Sequence, residues 1–224
     1  MREFKDIITR VAKVASSYIP GVGPVVAEII DYGSNLFEQE KMKNFMNSVE
    51  NLLQRHEGEL EKIKSDEHGY FYLLKATRRW IEETENEKIL YFANCVENGY
   101  ILDISSTKKN LFLNELTKLS VEHLTLLDYL SKYHNKEKVK RNNMVKVEKV
   151  FGGTESMFSA IVRGLPQYKE EKDLLANLIR VLEQDGLIYS FTLDTTYDKD
   201  KTESKWTTKL GDEFLDYIKD KNNG

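Results

Sequence analysis

Residues 174–215 constrain what this chain can fold into more than any other stretch. Leu174-Leu175-Ala176-Asn177-Leu178-Ile179-Arg180-Val181-Leu182 reads as one apolar helix face, because its large apolar residues recur at three- and four-residue steps. Asp185-Gly186 ends that helix, and Leu187-Ile188-Tyr189-Ser190-Phe191-Thr192-Leu193 has the content of a strand. A polar stretch from Asp194 to Lys205 precedes a second short strand around Trp206. Thr208-Lys209-Leu210-Gly211-Asp212-Glu213-Phe214-Leu215 then opens a last helix.

Helix, strand, charged loop, strand, helix is the order of a winged-helix domain, a shape that serves DNA readers and protein adaptors alike. The charges separate the two. In most DNA-reading winged helices the third helix enters the major groove. The corresponding segment here, 169–185, sets Lys169, Lys172 and Arg180 against Glu170, Glu171, Asp173, Glu183 and Asp185. An excess of carboxylates repels phosphates and gains nothing from counterion release. The loop is mixed too, with Lys199, Lys201 and Lys205 among Asp194, Asp198, Asp200 and Glu203. Leu127, Leu178, Leu182, Leu187, Phe191, Trp206 and Phe214 are the expected core of this domain.

Upstream the pattern is helical throughout. Phe4, Ile7, Ile8, Val11, Val14, Ala15, Tyr18 and Ile19 form an amphipathic helix. Pro20-Gly21-Val22-Gly23-Pro24 breaks it, with Pro24 suited to open the next. Apolar residues from Val26 to Ile63 continue a period near 3.5, and Phe37, Met42, Phe45, Met46 and Val49 lie on one stripe, a candidate for self-association. A third helix carries Tyr70, Phe71, Leu73, Leu74, Trp80 and Ile81. A fourth, with Ile89, Leu90, Phe92, Ala93 and Val96, should stop at Asn98-Gly99. Ser105-Ser106-Thr107 caps a fifth and Ser120 a sixth. The predicted architecture is mostly α: a helical bundle or hairpin over residues 1–119, then a winged-helix (α+β) domain over 120–224.

Within the second part lies the only strongly basic run. Residues 136–149 hold Lys136, Lys138, Lys140, Arg141, Lys146 and Lys149 against Glu137 and Glu148. These six are the candidate nucleic-acid contacts, and Val145, Val147 and Val150 alternate with charge as in a short strand. Thr154 to Val162 reads as a short helix closed by Gly164-Leu165-Pro166.

Composition and missing motifs narrow the chemistry. A net charge of −4 supplies no global attraction to nucleic acid. One cysteine, Cys95, rules out an intramolecular disulfide, and the charged start Arg2-Glu3-Phe4-Lys5-Asp6 is unlike a secretion signal, so a cytoplasmic setting is expected. Neither G-x-x-x-x-G-K nor G-x-G-x-x-G occurs, nor H-E-x-x-H or C-x-x-C. His56, His68, His123 and His134 are scattered, and Cys95 sits among Phe92, Ala93 and Val96 as a structural thiol would. No catalytic residue, cofactor or metal site is expected. Val14 to Ala27 is uncharged but too short, at 14 residues with two prolines and two glycines, to span a bilayer, which takes roughly 20. A membrane-active state of the first two helices remains the third functional option.

Four runs carry a family likeness: Glu87-Lys88-Ile89-Leu90-Tyr91-Phe92-Ala93-Asn94, Phe112-Leu113-Asn114-Glu115-Leu116-Thr117-Lys118-Leu119-Ser120-Val121-Glu122-His123, and the closing Leu178 to Ile188 and Thr208 to Phe214. With these, residues 85–218 resemble the bacterial Abi-alpha family, associated with abortive infection. The resemblance rests on packing and turn residues, and carries over no functional residue. It implies a role near phage defence. The expected function is therefore a non-enzymatic adaptor or regulator working through a protein partner or its own copies, with DNA binding through 136–149 as the alternative.

Overall fold

A computed structural model describes Tyr72, Lys75, Ala76, Arg79, Glu83 and residues 85–102, 104–132 and 154–219, and these are mostly helical. The chain divides into two compact units, Met1–Lys118 with Tyr217–Gly224, and Leu119–Asp216.

The first unit contains α1 (Asn86–Ile101) and α2 (Ser106–Lys118). Ile89, Phe92 and Cys95 on α1, and Phe112, Leu113 and Leu116 on α2, are buried at helical spacing. The hydroxyl of Ser105 accepts the Lys108 N–H at 3.3 Å and so begins α2. Asn98-Gly99 does not stop α1, which runs on to Ile101. Both residues are used in packing: Asn98 is buried and bonded, and Gly99 lies so close to Tyr72 and Tyr217 that a Cβ would fall 2.8 Å from each. Tertiary contact overrides the local stop signal.

The second unit begins with α3 (Val121–Leu130), where Ser120 N–H donates to His123 Nδ1 at 3.2 Å across the first turn. Next come β1 (Thr154–Ser156), α4 (Met157–Gly164), a 3₁₀ turn (Pro166–Tyr168) and α5 (Lys172–Gln184). They are followed by β2 (Thr196–Asp198), the short α6 (Lys199–Thr202) and α7 (Lys209–Ile218). α3 and α5 pack on each other. α5 buries Leu175, Leu178, Ile179 and Leu182. Leu174, expected on that face, is 43% exposed, because the buried stripe is centred one residue later. Gly186 takes φ 69° and turns the chain out of α5, a conformation glycine adopts without steric cost.

The expected strand over 187–193 contracts to one antiparallel bridge, Ile188 with Thr207, flanked by Tyr189 N–H to Trp206 O at 2.9 Å and Thr208 N–H to Leu187 O at 3.0 Å. The chain then turns, Thr195 N–H reaching Thr192 O at 3.1 Å. Pairing resumes where a loop was expected: β2 runs antiparallel to β1 with Glu155 opposite Tyr197. β1 itself occupies residues read as helix. Ser156 is the cap of α4, its hydroxyl accepting the Ser159 N–H at 3.2 Å, so the residues before it are extended.

Leu127, Leu178, Leu182, Leu187, Phe191, Trp206 and Phe214 are all buried. Trp206 stacks edge-on against Phe191 at 5.0 Å, and its backbone N–H reaches Leu130 O at 2.8 Å. It is part of the core.

Candidate interaction surface

The side of α5 away from its buried stripe carries Asp173, Leu174, Ala176, Asn177, Arg180 and Gln184, all exposed. Its charge is decided by which groups are already engaged. Lys172 Nζ lies 2.5 Å from Asp194 and 5.5 Å from the centre of the Phe158 ring. Arg180 donates to Asn177 Oδ1 at 2.6 Å. Glu170, Glu171 and Asp173 are exposed and make no ion pair among the described residues. Acidic groups at this end of α5 are favoured by the helix dipole, which accounts for their presence without a ligand.

The loop after the bridge follows the same rule. Arg163 reaches Glu155 at 3.1 Å and Glu203 at 3.3 Å, and Lys205 pairs with Asp212. Lys199 lies 3.9 Å from Glu203. Lys201 stands 4.6 Å over the Tyr197 ring while its carbonyl accepts Trp206 Nε1–H at 3.1 Å. Lys132 pairs with Asp128 on α3. Among the described cations of this unit, that leaves Lys169 and Lys209 without such a contact, Lys169 being followed directly by Glu170 and Glu171. A duplex would have to break existing pairs to recruit these side chains, and would meet unneutralised carboxylates beside them. Apolar surface is available instead: Leu174, and Tyr189 at 57% exposure.

Two predicted groups fall elsewhere. Lys136, Lys138, Lys140, Arg141, Lys146 and Lys149 lie outside the described residues, as do Phe37, Met42, Phe45, Met46 and Val49. Sequence reading missed the ion pairs that consume Lys172, Arg163 and Lys205. Their partners are 8 to 40 residues away apart from the Lys205–Asp212 pair, so no local pattern signals them.

Cys95 is fully buried, and burial pushes its thiol far above the ordinary range, which leaves it protonated and unreactive. Among the described residues no group of three or more His, Cys, Asp or Glu side chains could hold a metal ion. No helix among them is long and apolar enough to cross a membrane.

No family model matches the chain, and no solved structure does. Translation initiation factor IF-3 of Nitratidesulfovibrio vulgaris, from two strains, is 35% identical to it over 69 residues, 31% of this chain and 39% of the factor. The chain thus spans about two fifths of the length of the curated relatives it matches.

Proposed function

We propose that this chain is a non-enzymatic adaptor or regulator that acts through protein contacts, its second unit a winged helix with α5 as the outward helix. One observation carries the reading: on the face a groove-reading winged helix would offer to DNA, Lys172 and Arg180 are engaged while Glu170, Glu171 and Asp173 are exposed. The element order around α5, with the Ile188–Thr207 bridge and the loop between, supports the fold assignment. The link to phage defence rests on the resemblance to the Abi-alpha family and on nothing else.

The test compares two binding modes on the full chain. Duplex DNA is titrated at low salt, and proximity cross-linking is run in cells before and after phage challenge. The expected result is no DNA affinity below tens of micromolar and a recurrent protein cross-link through α5. Tight, steeply salt-dependent DNA binding that disappears when Lys138, Lys140, Arg141 and Lys146 are neutralised would instead establish the 136–149 segment as a DNA contact.

A second reading comes from the 69-residue match, a part in translation initiation. Co-sedimentation with ribosomal subunits supports it, and absence from those fractions removes it.

A further inference from the structure

Arg163, in the last turn of α4, ties together two elements that are distant in sequence. Its Nη1 lies 3.2 and 3.1 Å from the two carboxylate oxygens of Glu155 on β1, and its Nη2 donates to Glu203 Oε1, just past α6, at 3.3 Å. The base of this fork is fixed. A Cβ on Gly164 would lie 2.1 Å from the Tyr129 ring of α3, so Tyr129 packs directly on the backbone beside Arg163, and its hydroxyl donates to Ala160 O at 2.8 Å. Both carboxylates are shielded, the Glu203 side chain 11% exposed and that of Glu155 20%.

We infer that Arg163 is a conformational lock: the segment it joins, β1 and β2 with α6, depends on this one side chain for its position on the second unit. Neither half of that segment is stable by itself. β1 and β2 pair over three residues each, and a two-stranded ribbon is marginal on its own in water. α6 is four residues, far below the length at which an isolated helix persists. Its other bonds include Trp206 Nε1–H to Lys201 O at 3.1 Å and the Tyr197–Trp206 ring contact at 5.7 Å. Neither of these joins β1 to the end of α6, and Arg163 does. Guanidinium suits the task, because a planar fork with separate N–H groups engages two carboxylates at once, where an ammonium is a single point charge. An exposed ion pair adds little to the stability of a whole domain. The effect here is local. Without Arg163, two shielded carboxylates that now share one cation are left facing each other, and the ribbon is the part that can move to give them water. Lys199, 3.9 Å from Glu203 and half exposed, is too distant and too solvated to replace it. The inference stands independently of the protein-contact reading above.

Hydrogen exchange resolved by peptide on the full chain tests the lock, comparing residues 154–156 and 196–203 with α5 as the internal control. Arg163→Ala should speed exchange in both segments about tenfold and change α5 by less than about twofold. Arg163→Lys should behave like Arg163→Ala, since it keeps the charge and loses the fork. The milder Glu203→Gln, which leaves the Glu155 arm in place, should speed 196–203 about threefold. Lys199→Ala should stay within about twofold of the wild type. Exchange in 154–156 and 196–203 that Arg163→Ala leaves unchanged overturns the lock. So does an equal acceleration in α5, which would mark a general loss of stability. Wild-type exchange in Arg163→Lys would show that charge alone suffices and overturn the fork.

Discussion

In the first unit polar groups go inward: Lys88, Asn98, Tyr72 and Tyr217 are buried, and each finds a partner there. The second unit buries leucines, isoleucines and aromatic rings and keeps its ion pairs on the surface. Its buried threonines, Thr202 and Thr207, bond within five residues of themselves. The difference sets how each unit fails. An apolar core loses stability in proportion to the volume removed, while a buried polar network loses it abruptly when one member leaves another unpaired. The surface pairs of the second unit are weak as stabilisers, so their evident effect is on charge: they remove cations from the exposed surface.

The largest effect should come from the apolar core. Phe214→Ala deletes a fully buried ring and should cost about 3–5 kcal/mol. The measurement is urea unfolding followed by Trp206 fluorescence in a Trp80→Phe background, with Cys95 protection from thiol labelling as the readout for the first unit. If Cys95 loses its protection in step with the Trp206 signal, the two units are not separate in stability and the comparison breaks.

Lys88→Ala tests the other half. Lys88 is 3% exposed, 2.6 Å from Glu83, 3.7 Å from Glu85 and 6.0 Å from the centre of the Phe92 ring. Removing it takes the ammonium from the Glu83 carboxylate, which keeps the Glu85 N–H at 3.0 Å, and breaking a buried pair costs at most about 3–5 kcal/mol. Glu83 keeps some solvent contact, which puts the expected loss at the low end. A loss under 1 kcal/mol would show that Lys88 behaves as a surface group. Lys172→Ala, the matched change on the second unit, should stay within about 1 kcal/mol.

Gly211→Ala falls between these. A Cβ there would lie 2.0 Å from the carbonyl oxygen of Leu187, which is backbone and cannot rotate aside. α7 must shift away from the Leu187–Thr208 bond, at about 1–3 kcal/mol. A variant as stable as the wild type would mean that α7 is loosely seated.

The second unit was the more legible part because its core is built from periodic signals. Leu175, Leu178, Ile179 and Leu182 announce α5, and Gly186 announces its end. Extended segments left weaker traces. β1 and β2 are three residues each, too short for alternation to register, and their pairing joins residues 40 to 44 apart. Asn98-Gly99 misled for a different reason. The pair is a common helix terminator, but here tertiary contact with Tyr217 and Tyr72 keeps it helical. The candidate surface was legible in its total charge and illegible in detail. Sequence counts Lys172, Arg163 and Lys205 as available cations, and only the fold shows them engaged.

The smallest prediction concerns pH and separates surface electrostatics from core packing in the second unit. The Glu122 carboxyl is held below its ordinary value of 4.5, first by the Ser120 hydroxyl, then by its own backbone N–H, with a smaller contribution from His123, and against partial desolvation. A carboxylate depressed in the folded state contributes stability that is complete above the unfolded value and disappears as pH falls through the folded one. Glu122→Gln should therefore reduce stability slightly at neutral pH, and the gap from the wild type should close as the pH drops below about 4.5. Ser120→Ala removes the leading cause, so it should raise the Glu122 pKa and shrink the same gap, measurable by NMR titration of the carboxyl. A gap constant between neutral and acid pH would assign the effect of Glu122 to packing and remove surface charge from the account of this helix start.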